Sequence, residues 1–358
     1  MTIAVIGTRG FPGIQGGVEK HCENIYPRMQ GVKIRLYRRR PYLSEKSSHV
    51  YPNIEYVDLP STRVPGFEAV WHTFLSVLHI ITHRPDVVHV HNIGPGMFIP
   101  LLKLFGIKVV MTYHSPNYEH AKWGPVTRRL LKWSEGISLR GADRVIFVNK
   151  FQREKFPARV LAKSVYIPNG IRHVSRSHET MFLEHYGISP GRYLLAVGRL
   201  TPEKGFEYLI QAASQLPEVE QVVIAGASDH DNTYFEQLKR LDTGHKVIFT
   251  GYTYGEDLCE LYSHARLYVL SSVNEGFPLV LLEAMSYKLP LAVSDIPATH
   301  LVELPQADYF TVASVDSMRA TITAKLAQPS APVDYDLSQF DWNAIAATTQ
   351  QVLASAAR

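Results

Sequence analysis

At 358 residues the chain is long enough for two domains, and 46% hydrophobic with 20% charged residues excludes a fibrous or disordered protein. The net charge of +4 hides an asymmetry: residues 1–170 carry 24 Lys/Arg against 11 Asp/Glu, and residues 171–358 carry 13 against 22. Two cysteines far apart, Cys22 and Cys259, exclude a disulfide framework, and the longest uncharged apolar stretch, around Val70 to Ile81, is too short and too His-rich to span a membrane.

The chain opens directly into an apolar run, Thr2-Ile-Ala-Val-Ile6, which reads as a buried strand with no signal peptide before it. Gly7 and the loop Thr8-Arg-Gly-Phe-Pro-Gly-Ile-Gln-Gly-Gly-Val-Glu19 follow. Its glycines do not fall as G-x-G-x-x-G, and Pro12 interrupts it. The second strand, Val32 to Tyr37, runs into Arg38-Arg39-Arg40, where NAD requires an acid. A dinucleotide site is therefore a poor fit. Closure on Gly16-Gly17 before a helix suits backbone approach to a phosphate or sugar, and a mobile surface loop would read the same way.

A helix over Phe67 to His83 leads to Asp86-Val-Val-His-Val-His91, whose alternation puts His89 and His91 on one face. A metal site there finds no third ligand at a familiar spacing. A histidine in such a place is ordinarily just hydrogen-bonded. The next strand, Ile107 to Tyr113, also ends in a histidine, His114. Beyond it, Val126 to Leu139 reads as a basic amphipathic helix, for a membrane surface or for a solvated face. Arg144 to Val148 is a strand. Pro168-Asn169-Gly170 is turn chemistry, and residues 171–190 read as a polar linker with one short helix.

The pattern then restarts with a strand from Tyr193 ending at Gly198. Arg199 and Lys204 follow, five residues apart around a turn into a helix. Two cations at a helix N-terminus oppose its dipole, a cost that makes sense if they hold a diphosphate. Strand Gln221 to Gly226 precedes Asp229-His-Asp231, a D-x-D that reads more simply as an N-cap for the helix Asn232 to Leu241 than as a metal ligand pair. Lys246 to Phe249, Asp257 to His264 and Arg266 to Leu270 give strand, helix and strand. Glu275-Gly-Phe-Pro-Leu-Val-Leu-Leu-Glu283 comes next. Pro278 suits the first helical position, and bare first-turn amides beside two carboxylates suit a ligand rich in hydroxyls and phosphate. A helix with acids placed for its dipole is the bland alternative. Leu289 to Val293, Tyr309 to Val312, Asp316 to Leu326 and a weakly amphipathic Trp342 to Ala357 close the chain.

The stretch E-G-F-P-x-x-x-x-E-A-M, Glu275 to Met285, resembles the signature of the retaining glycosyltransferases of family GT4, which have the GT-B fold. The opening T-R-G-x-P-x-x-x-G-G-V-E resembles the polysaccharide enzymes of that family. Ser115 to Gly124 resembles their H-G-x-x-Y-x-R-x-K-W-G block, with Ser115 in place of Gly and His120 in place of Arg. The resemblance implies His114 near the donor sugar, and Arg199 and Lys204 on the pyrophosphate. It also implies Glu275 on the sugar and Glu283 on the ribose. Gly16, Gly17, Gly198, Gly276, Phe277 and Leu279 complete the implied donor site. His91, Tyr118, Lys122 and Trp123 are the acceptor-side candidates. Pro168-Asn-Gly marks the family's passage into the second domain, although Arg172 and His173 stand where an acid is usual.

The expectation is an α/β protein of GT-B type, with two Rossmann-like parallel-sheet domains facing across a cleft. Residues 1–172 would bind the acceptor, 173–190 link, 191–335 bind the nucleotide sugar, and 336–358 cross back as a helix. The expected activity is retaining transfer from a nucleotide-diphosphate sugar to a hydroxyl of a glycan or lipid-linked acceptor, with no metal or other cofactor. Cytoplasmic placement, contact of the basic half with an anionic membrane, and no nucleic-acid partner belong to the same reading. The alternatives are a sugar-nucleotide epimerase on this fold and a non-catalytic assembly partner. A phosphorylase lacks any motif for its pyridoxal phosphate.

Overall fold

The computed structural model describes all residues except 15, 63, 65, 66, 117, 119–123, 172, 173 and 229–231. Its described parts form two units, residues 1–170 with 339–358, and residues 171–338.

In the first unit, strands β1 (Thr2–Ile6), β2 (Lys33–Arg39), β3 (Ile54–Leu59), β4 (Val87–His91), β5 (Val109–Tyr113), β6 (Arg144–Phe147) and β7 (Ser164–Tyr166) form one parallel sheet in the order β3-β2-β1-β4-β5-β6-β7. A parallel sheet is covered on both faces, which is why its strands are nearly continuous apolar runs. Ile3 and Val5 pack with Cys22 and Ile25 of the helix Gly17–Ile25, while Ala4 and Ile6 pack with Val77 and Ile80 of the helix Phe67–Thr82. The final helix, Trp342–Ala357, belongs to the first of these faces through Trp342, Ile345 and Leu353.

β3 was not foreseen. Glu55 and Asp58 break its apolar pattern, but they pair across to the neighbouring strand, Lys33 Nζ to Glu55 at 2.9 Å and Arg38 Nε to Asp58 at 2.7 Å. Those pairs also carry β2 two residues past its expected end at Tyr37.

In the second unit, β8 (Tyr193–Val197), β9 (Gln221–Ala225), β10 (Val247–Gly251), β11 (Leu267–Leu270), β12 (Leu291–Ser294) and β13 (Tyr309–Phe310) are parallel in the order β10-β9-β8-β11-β12-β13. Both sheets thus begin with the order 3-2-1-4-5-6 of doubly wound folds. Residues from the expected linker pack into this second unit. Ser177 N donates to Ser263 Oγ at 2.8 Å, Phe182 N to Glu260 Oε2 at 2.9 Å, and Leu183 is buried. Among the described residues no helix is long and apolar enough to cross a membrane.

His72 shows what this packing costs. It is fully buried in the helix Phe67–Thr82, and neither ring nitrogen has a hydrogen-bond partner. Burial, then the nearby Arg39 guanidinium, lower its pKa from 6.5 to about 4. A depressed histidine contributes stability above its unfolded value, and that contribution is lost as pH falls from 6.5 toward 4. His72→Phe should therefore unfold at a higher urea midpoint than the parent at pH 4.5, with a smaller difference at pH 7.5. Equal midpoint differences at both pH values would remove His72 as a source of the acid sensitivity.

Candidate functional site

The second sheet's turn of winding lies between β8 and β11, whose following turns are stitched together. Val273 N donates to Glu203 O at 2.9 Å, and Ser271 Oγ to Lys204 O at 2.8 Å. Gly205 has φ +60°, and a Cβ there would lie 2.4 Å from Ser271 O. Across this seam Lys204 Nζ donates to Glu275 Oε1 at 2.5 Å, and Ser272 Oγ donates to the same oxygen at 2.8 Å. Both charged side chains are mostly shielded, 16% and 12% exposed. The stem of Lys204 runs against Gly198, where a Cβ would stand 3.1 Å from its Cε. Arg199 is exposed. Glu283 is buried in the helix Leu279–Ser286 and accepts from Tyr262 OH at 3.1 Å.

Two details differ from the sequence reading. Pro278 stands one residue before the helix rather than at its first position. The first-turn amides are not all bare, since Leu279 N donates to Phe277 O and Leu281 N to Pro278 O, both at 3.0 Å. Gly276 and Phe277 continue the turn after Glu275, and Leu279 is the first residue of the helix. Asp229 and Asp231 lie outside the described residues.

In the first unit the loop after β1 is anchored. Phe11 is fully buried against Tyr26, and Glu19 Oε1 accepts from Arg9 N at 2.9 Å. Gly7 (φ +98°) passes so close to β4 that a Cβ would sit 2.1 Å from His91 O. Gly16 lies over the Glu19 carboxylate, whereas a Cβ on Gly17 would meet nothing within 4 Å.

His89, His91 and Thr112 share a sheet face with His21 and Tyr26 of the covering segment. His89 Nε2 meets Thr112 Oγ1 at 2.7 Å, and its Nδ1 meets Tyr26 OH at 2.8 Å. Tyr26 OH meets His91 Nε2 at 2.6 Å, and His91 Nδ1 meets His114 Nε2 at 3.0 Å. Burial drives every one of these rings toward the neutral form, His21 to about 4, His89 to about 3, and His91 and His114 well below 6.5. His91 has no exposed surface, and its Nδ1 meets His114 rather than solvent. Tyr118 packs with the core on the sheet's other face, and its hydroxyl donates to Glu135 at 3.5 Å. Lys122 and Trp123 lie outside the described residues. Sequence reasoning missed His21, Tyr26, Glu19, Ser272 and Tyr262. Only Glu19 was visible, as the end of the glycine-rich stretch.

Residues 15–175 match the family described as Glycosyltransferase Family 4, and residues 181–319 match Glycosyl transferases group 1. An uncharacterized glycosyltransferase of Methanocaldococcus jannaschii is 40% identical over 323 residues, 83% of this chain and 81% of that protein. Sucrose-phosphate synthase from Thermosynechococcus elongatus superposes with a TM-score of 0.80 at 22% identity, over 99% of this chain and 98% of that one. The Anabaena HepE protein, solved in complex with UDP-glucose, superposes at 0.78 and 20% identity, over 99% and 100%.

The seam makes its own demand on stability. Gly205→Ala places a side chain in the left-handed region, about 1–2 kcal/mol, and drives it into the Ser271 carbonyl. Gly191→Ala, at φ +74° with nothing within 4 Å, bears the conformational cost alone. Urea unfolding should therefore show the larger loss for Gly205→Ala, and equal losses would show that the seam relaxes freely.

Proposed function

The chain belongs to the family 4 glycosyltransferases, and from that premise we propose that it transfers a sugar from a nucleotide-diphosphate donor to a hydroxyl of a glycan or lipid-linked acceptor. The observation that carries the donor reading is the Lys204–Glu275–Ser272 cluster at the winding point of the second sheet, with Arg199 exposed beside it. A parallel sheet binds ligands outside the carboxyl ends of its strands at such a point. Arg199 supplies a fork and Lys204 a point charge for the diphosphate, which leaves with its negative charge compensated. Glu275 accepts from the sugar hydroxyls and Glu283 from the ribose. Among the described residues no carboxylate is placed as an obvious covalent nucleophile, which favours front-face attack with retention. Gly17, open to solvent on its own unit, suits backbone approach to the sugar. Two cations in place of a metal support a metal-independent reaction. The basic first half, and the exposed Val126, Leu130 and Trp133 beside Arg128, Arg129 and Lys132, support a cytoplasmic protein working at an anionic membrane face.

The Lys204–Glu275 pair makes a specific demand on mutants. Lys204→Ala and Glu275→Gln each remove a charge-assisted contact, worth about 1.5–3 kcal/mol, or roughly 10- to 150-fold in transfer. Because each also disorganises the other residue, the double mutant should lose much less than the product of the two. Glu283→Ala combined with Lys204→Ala should be multiplicative, since Glu283 is held by Tyr262 instead. Fully multiplicative losses in both cycles would mean that Glu275 does not position Lys204 for transfer.

Treatment with EDTA should leave the transfer rate undiminished. A loss restored by manganese or magnesium would return Asp229 and Asp231 to consideration as ligands.

A further inference from the structure

We propose that His21, His91 and His114 form a binding site for a divalent transition metal of the zinc class. Their ligand-capable nitrogens lie within 4.8 Å of one another. The three residues come from the helix Gly17–Ile25, the end of β4 and the end of β5, so no sequence spacing announces them.

Hydrogen-bond accounting favours the ligating tautomers. His21 Nδ1 lies 2.7 Å from Asn169 Oδ1, which can only accept, so the ring proton sits on Nδ1. His21 Nε2 is left as a lone pair, buried and without a hydrogen-bond partner. A metal-binding histidine characteristically has its other nitrogen fixed in this way by an oxygen. For His91 the same service is available through a relay. Nε2–H donates to Tyr26, Tyr26 O–H donates to His89 Nδ1, and His89 Nε2–H donates to Thr112 Oγ1. That polarity leaves His91 Nδ1 as a lone pair facing His114 Nε2 at 3.0 Å, where it accepts from His114 Nε2–H when no metal is bound. With the His114 proton on Nδ1 instead, both facing nitrogens offer lone pairs to a cation.

The distances suit a small ion. Nitrogens at about 2.0–2.1 Å from a tetrahedral zinc lie roughly 3.4 Å apart. His91 and His114 are near that separation, and the His21 nitrogen lies within 4.8 Å of both. Three imidazoles without a carboxylate select zinc, copper or nickel over magnesium or calcium. The proposal concerns binding only and rests on the histidine geometry; it shares His114 with the residues that the family resemblance places near the donor sugar, and it assigns the metal no step in transfer.

The test uses untagged, full-length, metal-stripped protein titrated with Co²⁺ and Zn²⁺. One equivalent of Co²⁺ should give the intense visible bands of a four-coordinate site of three imidazoles and a water, and Zn²⁺ should displace it. Asn169→Leu should keep the stoichiometry and weaken binding about 10- to 100-fold. His21→Leu, which removes a ligand but adds no buried polar atom, should abolish the bands. His83→Ala, at the exposed stacked pair His79–His83, should leave them unchanged. Absence of stoichiometric binding to the parent protein overturns the proposal, whatever the variants do. So does a six-coordinate spectrum, or binding that survives in folded His21→Leu and falls in His83→Ala.

Discussion

In each sheet two neighbouring parallel strands must send their chains to opposite faces, and that single constraint places most of what is special in this molecule. A right-handed crossover leaves β1 and β4 diverging in the first sheet, and β8 and β11 in the second. Beyond their ends the backbones are close with no helix between them, so side chains there must be small or polar. At Gly7, against the His91 carbonyl, and at Gly205, against the Ser271 carbonyl, even a methyl group does not fit. The glycines are less a mark of flexibility than of two chains forced to pass at contact distance.

The two units fill that place with different chemistry. In the first it holds uncharged rings that satisfy one another, a chain from Thr112 through His89, Tyr26 and His91 to His114. In the second it holds a shielded ion pair, Lys204 with Glu275. A shielded pair is stable only while both partners are present, because removing one strands the other in a poorly solvated place. On the proposed donor reading, a diphosphate would have to compete with Glu275 for Lys204, and the freed carboxylate would be available to hydroxyl donors. The pair thus keeps both groups ordered before a ligand arrives.

Much of this was legible in the sequence because the relevant signals are local. The β8 and β11 strands are uninterrupted apolar runs, so strand reading marked the turns that carry Arg199, Lys204 and Glu275, while the roles of these residues and of Glu283 came from the family resemblance. The final helix was read with its observed bounds, Trp342 to Ala357. What escaped was non-local. β3 hides its apolar pattern behind Glu55 and Asp58, whose partners lie on a different strand. The role of His21 depends on Asn169, 148 residues away, and that of Glu283 partly on Tyr262, on another helix. The first-turn amides beside Glu275 looked bare because a sequence does not show that the loop bends back to use two of them.

The gradient along the strands ties these points together. β4 begins with Val87 and Val88 and acquires His89 and His91 only in its second half, while β5 is apolar until Thr112. β11 is fully apolar and is followed at once by Ser271 and Ser272, both buried and both hydrogen-bonded into the seam. At their amino ends β4, β5 and β11 are buried and apolar, against helices and core. The carboxyl ends cannot be dry, because there the helices part and exposed backbone carbonyls and amides need partners. Polar side chains at those ends first meet that structural need. They are then already oriented, desolvated and close together, which are the properties that binding a sugar, a phosphate or a metal ion requires.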